Sequence, residues 1–222
     1  MEIEDLSLKI CRSAHFRSTE IANKTYRLPS LFTELRFDLS TFPLDNLSDL
    51  TLPEKFIFTC RKGRFTETER LKAYKKALEI GADFIDLDFE TDLNLLDHLK
   101  SEIAVCKTQL ILSQHNYNST PNFNQLKEST QKAFDLGADI AKIITTAKKT
   151  DDLDRIYQLY QHFDNLIAFA MGEEGMESRA KILFLGAPFT YAAFSEKEIT
   201  APGQMNFQQT ANLYHQLNSI RK

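Results

Sequence analysis

Lys142 stands in the middle of Asp139-Ile-Ala-Lys-Ile-Ile144, a short run of branched apolar residues preceded by Gly137-Ala138. Such a run, with helical periodicity on both sides, reads as a buried strand of a parallel sheet. Desolvation disfavours the charged form of a lysine placed there and lowers its pKa. A lysine so disposed is a nucleophile that can condense with a carbonyl group to give a Schiff base. The alternative is a lysine at the strand end, whose ammonium snorkels to water and has no chemical task.

Other polar residues interrupt apolar runs in a regular way. Glu34 and Arg36 lie two apart, as do Asp86 and Asp88, Ser113 and His115, and Thr59 and Arg61. A spacing of two puts each pair on one face of its strand. With helices outside the sheet, such a face points to a barrel interior or its rim, and the C-terminal rim is where barrel enzymes build active sites. Singly, each has a plain explanation: a structural ion pair, a loop histidine, a solvated strand end. Several converging around one lysine point to a site. Further along, Met171-Gly-Glu-Glu-Gly-Met-Glu-Ser-Arg179 ends in an arginine suited to capturing a carboxylate. The turn at Pro202-Gly203 could carry Thr200 and Gln204 over a ligand as a lid. A surface arginine and an ordinary turn are the alternatives.

The elements that hold these residues follow from periodicity. Strands are expected at Leu6–Cys11, Leu31–Phe37, Phe56–Arg61, Phe84–Asp88, Gln109–Ser113, Asp139–Ile144, Leu166–Met171 and Leu183–Gly186. Helices are expected within His15–Pro29 (capped by Ser18 or Thr19) and over Thr66–Ile80, Leu93–Ala104, Pro121–Leu136, Asp151–Phe163, Glu177–Ile182 and Gln204–Ile220. Lys76-Ala-Leu-Glu-Ile-Gly-Ala-Asp83 returns 56 residues later as Lys132-Ala-Phe-Asp-Leu-Gly-Ala-Asp139. Each copy ends a helix at a glycine before a strand begins, and the offset equals two βα units of ~28 residues. Eight strands alternating with helices predict an α/β fold, a single (β/α)8 TIM barrel over residues 1–222 with its first βα unit abbreviated. No glycine-rich phosphate loop follows any strand, which argues against nucleotide binding.

Composition agrees. A chain of 222 residues, 42% hydrophobic with a net charge of −4, suits one globular domain with a sizeable core. That balance gives no electrostatic footprint for nucleic acid or a membrane surface. No apolar run approaches transmembrane length, and the start Met1–Asp5 lacks a signal peptide's basic residues. Cys11, Cys60 and Cys106 show no metal-ligand spacing, and their odd number argues against a disulfide framework. The expected compartment is the cytoplasm.

Taken in order, Glu34-Leu-Arg36, Phe58-Thr-Cys-Arg61, Ser113-Gln-His115, Lys142-Ile143, Met171-Gly172 with Ser178-Arg179, Gly186 with Thr190-Tyr191, and Ala201-Pro-Gly-Gln204 resemble type I 3-dehydroquinate dehydratase. The resemblance runs from the second strand to the last helix; Glu-x-Arg alone is weak, and the ordered set is specific. It implies a (β/α)8 barrel that eliminates water from 3-dehydroquinate to give 3-dehydroshikimate, in the shikimate pathway of aromatic amino-acid biosynthesis, with no metal and no cofactor. By this resemblance Lys142 forms the imine and His115 shuttles protons. Arg179 holds the substrate carboxylate, with Thr200 and Gln204 on the closing loop. Glu34, Arg36 and Arg61 bind ring hydroxyls, Met171 and Tyr191 pack near the ring, and Asp88 and Ser113 support the site. Relatives of the family also occur fused to shikimate dehydrogenase, so a homodimer or association with that enzyme is implied.

The chain departs from the family's pattern at several points. The family usually has Glu or Gln followed by two glycines, four positions after the arginine matched by Arg61; here Phe65 stands there and the glycines are absent. Glu67 or Glu69 is the available replacement. Asp88 replaces a usual Glu, Thr200 a usual Ser, Ala187 a frequent Ser and Asn116 a frequent Asp. None removes Lys142, His115 or Arg179, so an active enzyme is expected, and a slow one if no carboxylate takes the place of Phe65. Two other readings compete: another Schiff-base barrel enzyme of the class I aldolase type, and a module whose task is association rather than catalysis.

Overall fold

Apolar residues recurring every second position build the strands, and capped amphipathic segments build the helices between them. The computed structural model describes residues 6–28, 31–195 and 203–220. In chain order the elements are β1 (Ile10–Ala14), α1 (Thr19–Tyr26), β2 (Phe32–Arg36), β3 (Lys55–Thr59), α2 (Glu67–Glu79), β4 (Phe84–Asp88), α3 (Leu93–Cys106) and β5 (Gln109–His115), followed by α4 (Phe123–Asp135), β6 (Ile140–Thr146), α5 (Asp151–Leu159), β7 (Leu166–Met171), α6 (Ser178–Leu185), β8 (Thr190–Ala193) and α7 (Phe207–Ile220). The strands form one eight-stranded sheet in the order β7-β6-β5-β4-β3-β2-β1-β8, with every pairing parallel. Pairing of the last strand with the first rolls the sheet into a nearly closed (β/α)8 TIM barrel.

Local chemistry sets the boundaries. Of the two expected caps, Ser18 or Thr19, it is Ser18 that caps α1, by accepting from the Ile21 N–H. Thr66 and Glu69 form a capping box at α2, and Asn122 and Gln125 do the same at α4. Gly81 and Gly137 take the left-handed conformation (φ +90° and +98°), as the repeated Gly-Ala-Asp turn predicts. Helix α1 has only eight residues. Shortening goes further in the next unit, where two 3-10 segments, Phe37–Leu39 and Leu44–Asp49, replace a helix between β2 and β3.

Two expected strands lie elsewhere. The first is Ile10–Ala14, displaced by about one turn of chain from Leu6–Cys11. Leu183–Gly186 is not a strand; it is the end of α6, closed by Gly186 at φ +107°, and the eighth strand is Thr190–Ala193. Short apolar runs have no period long enough to separate a buried strand from a buried helix turn.

Outward-facing residues such as Phe58, Ile85, Leu112 and Ile143 form the shell core with Tyr74, Leu96, Leu99 and Ile156 of the helices. Inside the barrel the character changes along its axis. Its N-terminal floor is apolar, made by Cys11, Phe32, Ile57, Phe84, Ile111, Ile140, Ile167 and Phe189. The Phe32 and Phe189 rings meet edge to face at 4.8 Å, and burial of each phenyl contributes about 2 kcal/mol. One turn of the pleat higher, the interior becomes polar.

Candidate active site

The polar tier begins with Lys142. Its side chain is 6% exposed, so the snorkelling alternative fails: the ammonium is inside the barrel. Nζ donates to Asp86 Oδ2 at 2.8 Å, lies 3.9 Å from Glu34 Oε1, and sits 3.8 Å above the centre of the Tyr191 ring. Asp86 is fully buried and accepts also from Arg61 Nη2 (2.8 Å) and Ser113 Oγ (2.7 Å). Burial alone would raise its pKa, but Arg61 and Lys142 outweigh that and hold the carboxyl well below the usual carboxylate range. Sheet register puts Ser113 beside Lys142 across β5 and β6 and beside Asp88 across β5 and β4, and it is Asp86, one pleat below Asp88 on the same face, that both side chains reach.

Glu34 is the second buried carboxylate. It accepts from Ser13 Oγ at 2.5 Å and Thr59 Oγ1 at 2.7 Å. Burial pushes its pKa up, yet Lys142 and Arg36 prevail and lower it. Arg36, one pleat nearer the rim, is forked onto Asp38 at 3.0 and 2.6 Å. Burial works to lower the pKa of Arg61, but neighbouring Asp86 raises it further than that, so its charge is permanent.

His115 stands at the rim with its side chain 16% exposed. Its Nδ1 is 3.8 Å from Asp88 Oδ2, too long for a hydrogen bond. Burial lowers its pKa to about 4 against the opposing pull of Asp88, with Arg61 and Lys142 adding to the lowering. At neutral pH the imidazole is therefore uncharged and able to accept a proton. Asp88 is occupied on its other oxygen by the Glu90 N–H at 2.9 Å.

Across the cleft Arg179 is 1% exposed, stacked 4.3 Å from the centre of the Phe169 ring. Its Nε and Nη2 find no hydrogen-bond partner among the described residues. Burial brings its pKa down to about 10. A buried guanidinium with free donors is a place for an anion. The helix that carries it starts at Ser178, whose hydroxyl donates to the Gly175 carbonyl at 2.5 Å and accepts from the Ala170 N–H at 3.0 Å. At Gly203 (φ +70°) a Cβ would collide with the Gly172 carbonyl, so the residue before Gln204 packs directly on the β7 loop. Gln204 is buried and lines the cleft. Thr200 lies outside the described residues.

Together these side chains line one cleft, open at the C-terminal rim. Its wall includes Glu34, Arg36, Arg61, His115, Lys142, Met171, Arg179, Tyr191 and Gln204 from the sequence-predicted set. Asp88 and Ser113 stand behind it, against His115 and Asp86. Ser13 and Tyr117 also line it without having been foreseen. Ser13 fell beyond the expected end of the first strand; its signal is a hydroxyl two residues after Cys11. Asp86 carried the spacing but no role, because its partner Lys142 is remote in sequence.

The departure at Phe65 is resolved by packing. Its ring stacks on Phe37 (5.1 Å, 6° between planes) with the Arg64 guanidinium over its other face at 4.3 Å. Arg64 also donates to the Ser40 carbonyl, pinning this loop to the one after β2. Neither expected substitute takes the missing carboxylate's place: Glu69 is engaged in the α2 capping box, and Glu67 is exposed beside it.

The sequence model of type I 3-dehydroquinase matches residues 18–221. The chain belongs to that family. A curated 3-dehydroquinate dehydratase from Desulfotalea psychrophila is 34% identical over 191 residues, covering 82% of this chain and 84% of that protein. One from Pyrococcus abyssi is 35% identical over 183 residues, covering 78% and 83%. Among solved structures, the type I 3-dehydroquinate dehydratase of Clostridium difficile superposes with a TM-score of 0.80 at 20% identity, covering 96% of this chain and 93% of that one. A structure of dehydroquinate dehydratase and shikimate dehydrogenase from S. pombe gives a TM-score of 0.73 at 24% identity, with 92% of this chain matching 43% of that one. These last two likenesses are of fold. Membership of the type I 3-dehydroquinase family makes the chain a hydro-lyase, in keeping with a lysine-centred cleft. Among the described residues no helix is long and apolar enough to cross a membrane.

Proposed function

We propose that the chain is a 3-dehydroquinate dehydratase that works through a Schiff base on Lys142, giving 3-dehydroshikimate for the shikimate pathway. The observation that carries this reading is the placement of Lys142 Nζ, buried at the centre of the cleft with an uncharged histidine at the rim and, opposite, a guanidinium whose Nε and Nη2 have no hydrogen-bond partner among the described residues.

Lys142 must first lose a proton; Asp86, held strongly ionised, is too weak a base to take it, and neutral His115 is the available acceptor. The free amine adds to the ring ketone, and the carbinolamine hydroxyl leaves as water with the proton that His115 took from Lys142, giving the protonated imine and a neutral His115 again. His115 then removes a proton from the carbon next to the imine carbon, and the electron pair flows into the C=N bond as an enamine. Return of that pair expels the β-hydroxyl, which leaves as water with the proton His115 carries. Hydrolysis of the imine releases product and restores Lys142. Arg179 would hold the substrate carboxylate, with Gln204 and Thr200 closing over it. Glu34, Arg36 and Arg61 would face ring hydroxyls, with Met171 and Tyr191 against the ring. No step calls on a metal or cofactor. The cytoplasm is the expected setting, as a homodimer or with shikimate dehydrogenase as a partner; the S. pombe protein names both enzymes together.

Borohydride added with 3-dehydroquinate tests the reading, followed by peptide mass mapping. An adduct on Lys142, absent from Lys142→Ala, is the expected result. A folded protein with no adduct and no turnover would overturn it.

A further inference from the structure

His115 lacks the hydrogen bond that would fix its ring, since Asp88 Oδ2 stops 3.8 Å short of Nδ1. What runs nearly parallel to the imidazole instead, in an offset stack, is Tyr117, with ring centres 6.0 Å apart and planes 16° from parallel. Tyr117 is 70% exposed, an aromatic side chain that the core does not hold. Its direction is set by backbone chemistry immediately after the histidine. The Asn116 N–H donates to the Ile144 carbonyl at 2.8 Å, and Asn116 Oδ1 accepts from the N–H groups of Asn118 and Ser119, both at 3.0 Å. That Asx turn bends the chain out of β5, so that Tyr117 lies over the residue two before it and not further along the strand. Both rings line the cleft.

The geometry points to Tyr117 as the positioning residue of His115: its ring covers one face of the imidazole, limits rotation of the histidine and keeps water off it in the open cleft. The charged groups acting on His115 are Asp88 and Asp86 on β4, Arg61 after β3 and Lys142 on β6. Stacking needs the π-face and not the hydroxyl, so phenylalanine should serve as well as tyrosine.

This inference rests on the role proposed for His115, and its test separates the two. Histidine-labelled protein without substrate is titrated by NMR, as wild type, Tyr117→Ala and Tyr117→Phe, alongside the pH profile of kcat for each. Tyr117→Ala should raise the His115 midpoint by about one pH unit as water reaches the ring, and lower kcat about tenfold while KM changes less than about twofold. Tyr117→Phe should restore both. A midpoint in Tyr117→Ala within about 0.3 unit of wild type, or a Tyr117→Phe variant that behaves like alanine, would overturn the positioning role. Should the wild type itself fail to dehydrate 3-dehydroquinate while the midpoint moves as expected, the dehydratase reading falls and the pairing of the two rings stands.

Discussion

Lys142 Nζ and Asp86 Oδ2 lie 2.8 Å apart, joined across the barrel although 56 residues separate them in the chain. The carboxylate is shared with Arg61 and Ser113, so one buried anion orders the lysine, a neighbouring arginine and a hydroxyl at once. The site depends on charge balance inside a low-dielectric interior, where removing either sign leaves the other exposed to the full cost of burial.

Replacing Asp86 with Asn should therefore destabilise the fold by about 3–5 kcal/mol, the usual cost of orphaning a buried charge. Because the folded-state pKa of Asp86 lies below its ordinary value of 3.8, its contribution is fully present above that value and is lost as pH falls below it. Urea unfolding of both proteins from pH 7 down to pH 2 checks the sign: the gap between them should close in acid. A gap that persists unchanged at the lowest pH would count against the pairing.

Arg179 should reveal the opposite balance, function held at the cost of stability. Its guanidinium is buried with Nε and Nη2 unpaired among the described residues, so Arg179→Met should raise the stability of the free protein by about 1–3 kcal/mol. The same change should raise KM for 3-dehydroquinate roughly 10–100-fold, the worth of a charge-assisted pair of hydrogen bonds. A less stable Arg179→Met protein, or an unaltered KM, would contradict this.

For His115, removal should slow turnover by on the order of 10²–10⁴-fold. With its pKa lowered to about 4, the acid limb of kcat/KM in the wild type belongs near that value and not near 6.5. The linkage also predicts stability. Between pH 6.5 and about 4 the unfolded chain takes up a proton that the folded histidine refuses, so stability falls as pH falls through that window. His115→Asn should flatten that part of the stability–pH curve. An acid limb near 6.5, or a His115→Ala change below about threefold, would refute the assignment.

Phe65 should prove structural. Truncation to alanine removes its stack on Phe37 and the contact with Arg64, costing about 1–2 kcal/mol for a half-buried ring. Turnover should remain within about threefold of wild type, since the ring stacks on Phe37 and is not part of the cleft lining, and a change that small is far below the 10²-fold worth of a proton-transfer group. Urea midpoints and steady-state rates together decide it.

Strand spacing alone announced that Glu34 and Arg36, Asp86 and Asp88, and Ser113 and His115 share faces, because the pleat has a strict period of two. The repeated Gly-Ala-Asp turns and the Ser18 cap were equally visible, since they depend on contacts within a few residues. Local pattern failed where it is ambiguous by nature. Leu183–Gly186 is too short to show whether it repeats every two residues or every 3.6, and only packing of α6 against β7 and β8 makes it a helix end. Pairing across the barrel lay further still from the chain's local pattern. That Asp86 and not Asp88 meets Lys142, that Arg179 has no ion-pair partner among the described residues, and that Tyr117 turns back over His115 depend on strand closure and loop direction. Closure brings together residues whose mutual distance no local periodicity encodes, and there the balance of buried charge is decided.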